Sequence, residues 1–208
     1  MAMRVPGAMP EGRSYEGLVS HIDVVPTLFD LLGIEKPSYL VGRSLAGIFE
    51  GKDDKGDEAV FAEINFHTSY EPTRSVRTCR YKYIRYFDSG WLKINQSNID
   101  GSPVKEFYEG CGLAGLTKDA ECLYDLYYDT FETNNLAADP LYAEVLAQMR
   151  ERLCTFMEQT NDPLLRGPIE VQPAWKVNRR ECVAAGSKNL DDYESLGEAF
   201  AVRERQDP

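Results

Sequence analysis

The densest chemistry in the 208-residue sequence lies in Phe66-His67-Thr68-Ser69-Tyr70-Glu71-Pro72-Thr73-Arg74-Ser75-Val76-Arg77. A loop bearing His and Tyr runs into a segment with two arginines, and Arg80, Lys82 and Arg85 follow at once. In an otherwise acidic chain this basic cluster suits an anionic substrate, because a guanidinium offers a planar fork to the oxygens of sulfate, phosphate or carboxylate. Lys82 and Arg85 read instead as solvent-facing strand residues paired with nearby acids, while Arg74 and His67 fit either role. No GxSxG elbow, GxxxxGK(S/T) phosphate cradle or HExxH metal pair occurs. Asp53-Asp54 and Asp191-Asp192 sit in polar stretches and read as solvated.

These groups need strands to position them. Ala59–Ile64 reads as one strand, and Ser75–Thr78 with Tyr81–Tyr86 as a hairpin turning near Cys79-Arg80. Residues 88–121 scatter Gly, Ser, Asn and Asp and read as a long insertion loop holding a helical turn. Cys122–Tyr127 adds a further strand, so these elements make an antiparallel sheet. Asp139 then caps a helix with Pro140 at its first position. Tyr142, Val145, Leu146, Met149, Leu153, Phe156 and Met157 recur along it at helical steps, a one-sided core stripe that should lie across the sheet. Beyond a Pro-rich run to Pro173 the tail is polar, with a short helix expected around Leu190–Val202.

An earlier helix is predicted over Val24–Leu32, with Asp23 as N-cap, Pro26 in the first turn and Gly33 at the left-handed stop. Val25, Leu28, Phe29 and Leu32 form its stripe, Val24 and Leu31 broaden it, and only Thr27 and Asp30 are polar. Such a helix must be covered on most sides. Leaving the stripe bare forfeits on the order of 6–12 kcal/mol, comparable with the stability of a whole domain. The isolated chain is therefore expected to be marginal, aggregating, or folded only beyond about Ala59.

Composition excludes several classes. Lys plus Arg number 23 against 34 Asp plus Glu, a net charge of −11, which disfavours nucleic acid and anionic membranes as partners. The 43% hydrophobic content is too high for a disordered chain. The most apolar run, Val24 to Ile34, contains Asp30 and is too short to span a membrane. The start carries no cationic region followed by an apolar one, so no secretory signal is expected. Five cysteines without a CxxC, beside two histidines, do not make a structural zinc site. Free thiols are the favoured reading, with a Cys111–Cys122 bridge closing a loop as the alternative.

Leu18-Val19-Ser20-His21-Ile22-Asp23-Val24-Val25-Pro26-Thr27-Leu28, followed by Asp30-Leu31-Leu32-Gly33-Ile34, resembles the signature helix of the sulfatase family. Gly42-Arg43-Ser44-Leu45 is similar to the segment that follows it there. Arg74-Ser75-Val76-Arg77-Thr78, with Arg80-Tyr81-Lys82-Tyr83-Ile84, resembles the family's C-terminal hairpin. Leu123-Tyr124-Asp125-Leu126 and Asp129-Thr130-Phe131-Glu132-Thr133-Asn134-Asn135-Leu136 resemble its LYDL…DPxExxNL strand and turn, with Thr130 in place of the usual proline. Tyr70-Glu71-Pro72, the insertion after the hairpin, and Thr160-Asn161-Asp162-Pro163 are similar to the heparan N-sulfatase (sulfamidase) branch.

The resemblance implies an α/β alkaline-phosphatase-like remnant over residues 1–58 and an α+β C-terminal subdomain over 59–170. That subdomain would hold an antiparallel four-stranded sheet packed on a long helix, with a polar extension over 171–208. Family members hydrolyse sulfate esters or sulfamates with a formylglycine made within a C/S-x-P-x-R motif beside a calcium ion held by Asp and Asn. That motif is absent from this sequence. Formylglycine and calcium are therefore expected in a preceding segment, with no cofactor on this chain, which is expected to be inactive alone. Sulfated carbohydrate, as in glycosaminoglycans, is the implied partner, and an extracytoplasmic location follows by family analogy. In this branch the loop before the hairpin can face the active-site mouth, so Glu63, His67 and Arg74 are the implied substrate contacts. Two alternatives stand: a non-catalytic domain binding sulfated glycans or protein, and a phosphonate or phosphodiester hydrolase of the same superfamily.

Overall fold

The computed structural model describes residues 2–7, 12, 14–49, 51, 56–172, 175–186 and 189–194. Asp53-Asp54, and the part of the expected Leu190–Val202 helix beyond Glu194, lie outside the described residues. The chain divides into two units, Met1–Phe61 with Arg77–Tyr81, and Ala62–Val76 with Lys82–Pro208.

In the first unit a 3-10 turn, His21–Asp23, leads into α1 (Val24–Leu32), and α2 (Ala46–Phe49) follows. Asp23 stands at the N-cap position of α1 as expected, but its side chain makes no cap bond to that helix. It serves the preceding 3-10 turn instead: Asp23 Oδ2 accepts from the Ser20 N–H at 2.7 Å, as the third residue of a capping box. Its Oδ1 accepts from the Arg43 N–H at 2.9 Å. Thr27 is fully buried, and its hydroxyl donates to Asp23 O at 2.6 Å and accepts from Leu45 N–H at 2.9 Å. Asp23 and Thr27 thus lace residues 43–45 to the helix. Gly42 is required there, since a Cβ would sit 1.9 Å from the Ile22 carbonyl oxygen. Gly33 takes φ 65°, the left-handed stop. Among the described residues the apolar stripe is largely open: Val25, Leu28 and Leu32 are 44%, 42% and 70% exposed, with Phe29 half-buried.

The second unit is built around a sheet of strand order β1-β2-β3-β4, comprising β1 (Val60–Phe66), β2 (Tyr70–Arg77), β3 (Tyr81–Tyr86) and β4 (Glu121–Asp125). Three-residue connections join β1 to β2 and β2 to β3, so these neighbours run antiparallel. At Thr78 the N–H donates to Tyr81 O at 2.9 Å and the hydroxyl accepts from the Tyr81 N–H at 3.0 Å, which closes the expected turn. Strand β2 is longer than predicted. It begins at Tyr70 rather than Ser75: the Pro72 carbonyl accepts from Phe87 N–H at 2.9 Å, and Tyr70, Pro72, Arg74 and Val76 are buried at alternate positions.

The insertion after β3 is more ordered than a loop. It forms a 3-10 turn, Gln96–Asn98, and then α3 (Pro103–Gly110), where Ser102 caps by accepting from Lys105 N–H at 3.2 Å. Lys105 is itself buried, and its ammonium donates to the carbonyls of Gln96, Ile99 and Val183 at 2.8, 2.9 and 2.5 Å. The insertion is thereby tied to the tail.

Helix α4 (Ala143–Gln159) follows the Pro140–Tyr142 turn, where Asp139 caps as expected by accepting from Leu141 N–H at 2.9 Å. Its stripe buries Leu146, Met149, Leu153 and Met157, with Tyr142, Val145 and Phe156 half-buried. Arg150 donates to Glu121 on β4, and the fully buried Tyr83 donates its phenol proton to the same carboxylate. Arg150 first, and then Tyr83, hold the Glu121 carboxyl below its ordinary value against its partial burial. All five cysteines are free, so no Cys111–Cys122 bridge forms; Cys122 is buried and Cys111 exposed. In place of the start of the expected tail helix, Leu190–Asp192 is a 3-10 turn, after which β6 (Tyr193–Glu194) pairs antiparallel with β5 (Val177–Asn178). Among the described residues no helix is long and apolar enough to cross a membrane.

Candidate functional site

Residues 67–69 form the turn between β1 and β2, and their polar backbone is held from two directions. Asn98 Oδ1 accepts from Thr68 N–H at 3.0 Å, Ser69 N–H at 2.9 Å, the Thr68 hydroxyl at 2.9 Å and the Ser69 hydroxyl at 3.2 Å. Asn98 Nδ2 donates to Glu71 Oε2 at 2.7 Å, and Glu71 also pairs with Lys118. From the other side, Asn178 N–H donates to Thr68 O at 2.8 Å, and the Asn178 side chain is locked by donating to Ala184 O and Ala185 O. Ser69 is fully buried, so these bonds replace water that its amide could not otherwise reach.

His67 sits on this fixed turn and is exposed. Glu63 and Asn65 occupy alternate positions of β1 leading to it and therefore share one strand face. Glu63 is 61% exposed at the side chain. The amide oxygen of Asn65 is buried and has no hydrogen-bond partner among the described residues.

Arg74 departs from the role implied for it. It is 1% exposed and its fork is spent inside the protein, with Nε donating to Asp162 Oδ2 at 2.6 Å and Nη2 to Asp162 Oδ1 at 3.0 Å. Nη1 donates to Ile64 O at 3.0 Å and Thr73 O at 2.9 Å. Glu63 lies 3.5 Å from Arg74 Nε, so these two candidates meet while His67 stands apart at the turn. Physically, the bidentate geometry suited to sulfate is satisfied by a carboxylate 88 residues downstream. Burial pushes the Asp162 carboxyl up, but the Arg74 hydrogen bond, the Leu164 N–H and the nearby Arg74 and Arg166 charges outweigh it and hold it below its ordinary value. Lys82 pairs with Glu132 at 2.7 Å, as its strand position suggested.

Asn98 and Asn178, which hold the site, were missed by sequence reasoning. Each is an unremarkable loop or tail residue until folded, and no local spacing marks it. Among the described residues no group of three His, Cys, Asp or Glu side chains could hold a metal ion. The C/S-x-P-x-R source of formylglycine is absent from the sequence.

The family model described as N-sulphoglucosamine sulphohydrolase, C-terminal, matches residues 1–118, which carry α1, the 43–45 segment, the hairpin and most of the insertion. The chain belongs to this sulfatase family. It is 30% identical over 173 residues to an ulvan-active sulfatase of Formosa agariphila, covering 81% of this chain and 34% of that protein. It is 31% identical over 175 residues to a Delta 4,5-hexuronate-2-O-sulfatase of Bacteroides thetaiotaomicron, covering 81% and 30%. Among solved structures, a 2-O GAG sulfatase superposes with a TM-score of 0.52 at 29% identity, covering 73% of this chain and 27% of that one. The chain thus spans about a third of its sulfatase relatives' length, and the stretch it shares with them reaches past the matched model into β4 and α4.

Proposed function

We propose that this chain is the C-terminal subdomain of a sulfatase that hydrolyses sulfate esters or sulfamates of glycosaminoglycan-type sugars, and that it supplies substrate contacts while the nucleophile and metal lie in a preceding catalytic segment. The observation that carries the reading is the doubly clamped turn presenting His67: a rigid, exposed imidazole can meet an anionic sugar without first being ordered. Glu63, on the same face, is the second contact. Arg74 acts as a positioning residue that braces β1 and β2 beneath them. The ties from Arg150, at the middle of α4, to β4 and from Asp162, just beyond its end, to β2 support a helix packed on the sheet. The bare stripe of α1 supports a catalytic segment seated against it.

The chain alone is expected to release no inorganic sulfate from N-sulfated glucosamine; sulfate release would overturn the reading. In the enzyme carrying both segments, His67→Ala should lower kcat/KM about 5–10-fold, the loss of about one hydrogen bond to substrate, with the melting temperature unchanged. Unaltered rates at both low and saturating substrate would exclude His67 as a contact. Replacing Leu28 and Leu32 with serine should move the stability of the isolated chain by no more than about 0.5 kcal/mol, because both are already exposed. It should also reduce self-association in sedimentation runs, and a large loss of stability would mean that the stripe is covered in solution.

A further inference from the structure

Helix α3 inverts the usual arrangement: its lysine is buried, while Val104, Phe107 and Tyr108 are exposed. The reason lies in what the Lys105 ammonium reaches. An ammonium has three N–H donors and no acceptor, and here they find the carbonyls of Gln96, Ile99 and Val183. Glu109 Oε1, 3.9 Å away, supplies opposite charge without a hydrogen bond. Gln96 and Ile99 bracket the 3-10 turn that carries Asn98, whose amide oxygen accepts from the Thr68 and Ser69 N–H groups. Val183 directly precedes Ala184 and Ala185, whose carbonyls lock the Asn178 side chain. The Asn178 N–H in turn donates to Thr68 O. The two clamps on the His67 turn, one from the insertion and one from the tail, thus converge on one buried ammonium.

We propose that Lys105 is a positioning residue for His67, a single charged group that keeps both clamps of the 67–69 turn in place. Its effect on turnover rests on the reading that His67 meets substrate; its effect on the turn does not.

Amide exchange in the full chain reads the clamps separately, with Thr68 and Ser69 reporting the insertion and Asn178 the tail. In Lys105→Ala all of these amides should exchange at least about tenfold faster. The Phe87 and Leu136 amides, bonded to Pro72 O and Leu123 O, should keep their wild-type rates. Propylammonium, the part of the side chain that alanine lacks, should restore slow exchange. Lys105→Met keeps the stem, so it should speed the same amides and gain nothing from the amine; it carries the test if Lys105→Ala does not fold. A protected Asn178 amide would mean that the Arg180–Asp88 pair holds the tail without Lys105, and would overturn the proposal. Protected Thr68 and Ser69 amides would overturn it from the insertion side. Equal acceleration at Phe87 and Leu136 would make Lys105 a general stabilising residue and overturn it as well.

In the enzyme carrying both segments, Lys105→Ala should lower kcat/KM about as far as His67→Ala does, and the double variant should fall no further. Additive losses would overturn action through His67. Faster exchange at the turn with wild-type turnover would instead overturn the His67 reading, and leave Lys105 as the group that holds the clamps.

Discussion

Replacing Asp162 with alanine is expected to cost about 3–5 kcal/mol of folding stability, seen as a lower urea midpoint at an unchanged slope. Arg74 is 1% exposed and cannot shed its charge, so removing its partner strands a guanidinium away from water. The hydrogen bonds to Ile64 O and Thr73 O satisfy Nη1 but supply no negative charge. Glu63, 3.5 Å from Nε, is largely in water and compensates poorly. A double variant, Arg74→Met with Asp162→Leu, should recover most of the loss, because a buried ion pair replaced by packed apolar groups is often near neutral. A midpoint unmoved in Asp162→Ala would mean that Arg74 reaches solvent, and would return it to the candidate substrate contacts.

The same pair sets an acid limit. Because the Asp162 carboxyl titrates below its unfolded value of about 3.9, its contribution is complete above about pH 4. That contribution is lost as the pH falls through the folded value. The wild-type chain should therefore lose stability more steeply below about pH 4 than Asp162→Ala does, and parallel acid limbs would contradict the assignment.

Arg74 also marks where the sequence stops being legible. Its chemistry, a fork for two oxygens, was readable from the residue type, but which oxygens it meets depends on chain that returns 88 residues later. The stripe Leu146, Met149, Leu153 and Met157 was readable because helix period and burial are one local fact. Thr27 stands out in the sequence only as a polar residue in an apolar helix, and its hydroxyl is the buried joint between α1 and Leu45. The insertion read as loop because Gly, Ser and Asn signal turns. Its order comes instead from Lys105 gathering three carbonyls, one of them from the tail. His67 was thus visible as a candidate, while the two asparagines that fix it were not.

That dependence makes Asn98→Ala the second large effect, with an expected loss of about 2–3 kcal/mol. The substitution removes one acceptor shared by two backbone amides and two hydroxyls, and the Ser69 amide lies where water does not reach. A general loss of stability would not by itself identify a clamp, so the decisive readout is local. Hydrogen exchange at the Thr68 and Ser69 amides should accelerate far more than exchange in α4, whose own bonds are untouched. Asn98→Asp separates the two halves of the side chain: it keeps an acceptor for both amides but sets a carboxylate against Glu71, to which Asn98 Nδ2 now donates. That variant should retain slow exchange at Thr68 and Ser69 while still losing stability, and raised salt should lessen its deficit by screening the repulsion. If both variants leave the two amides protected, Asn178 alone holds the turn, and the insertion plays no part in presenting His67.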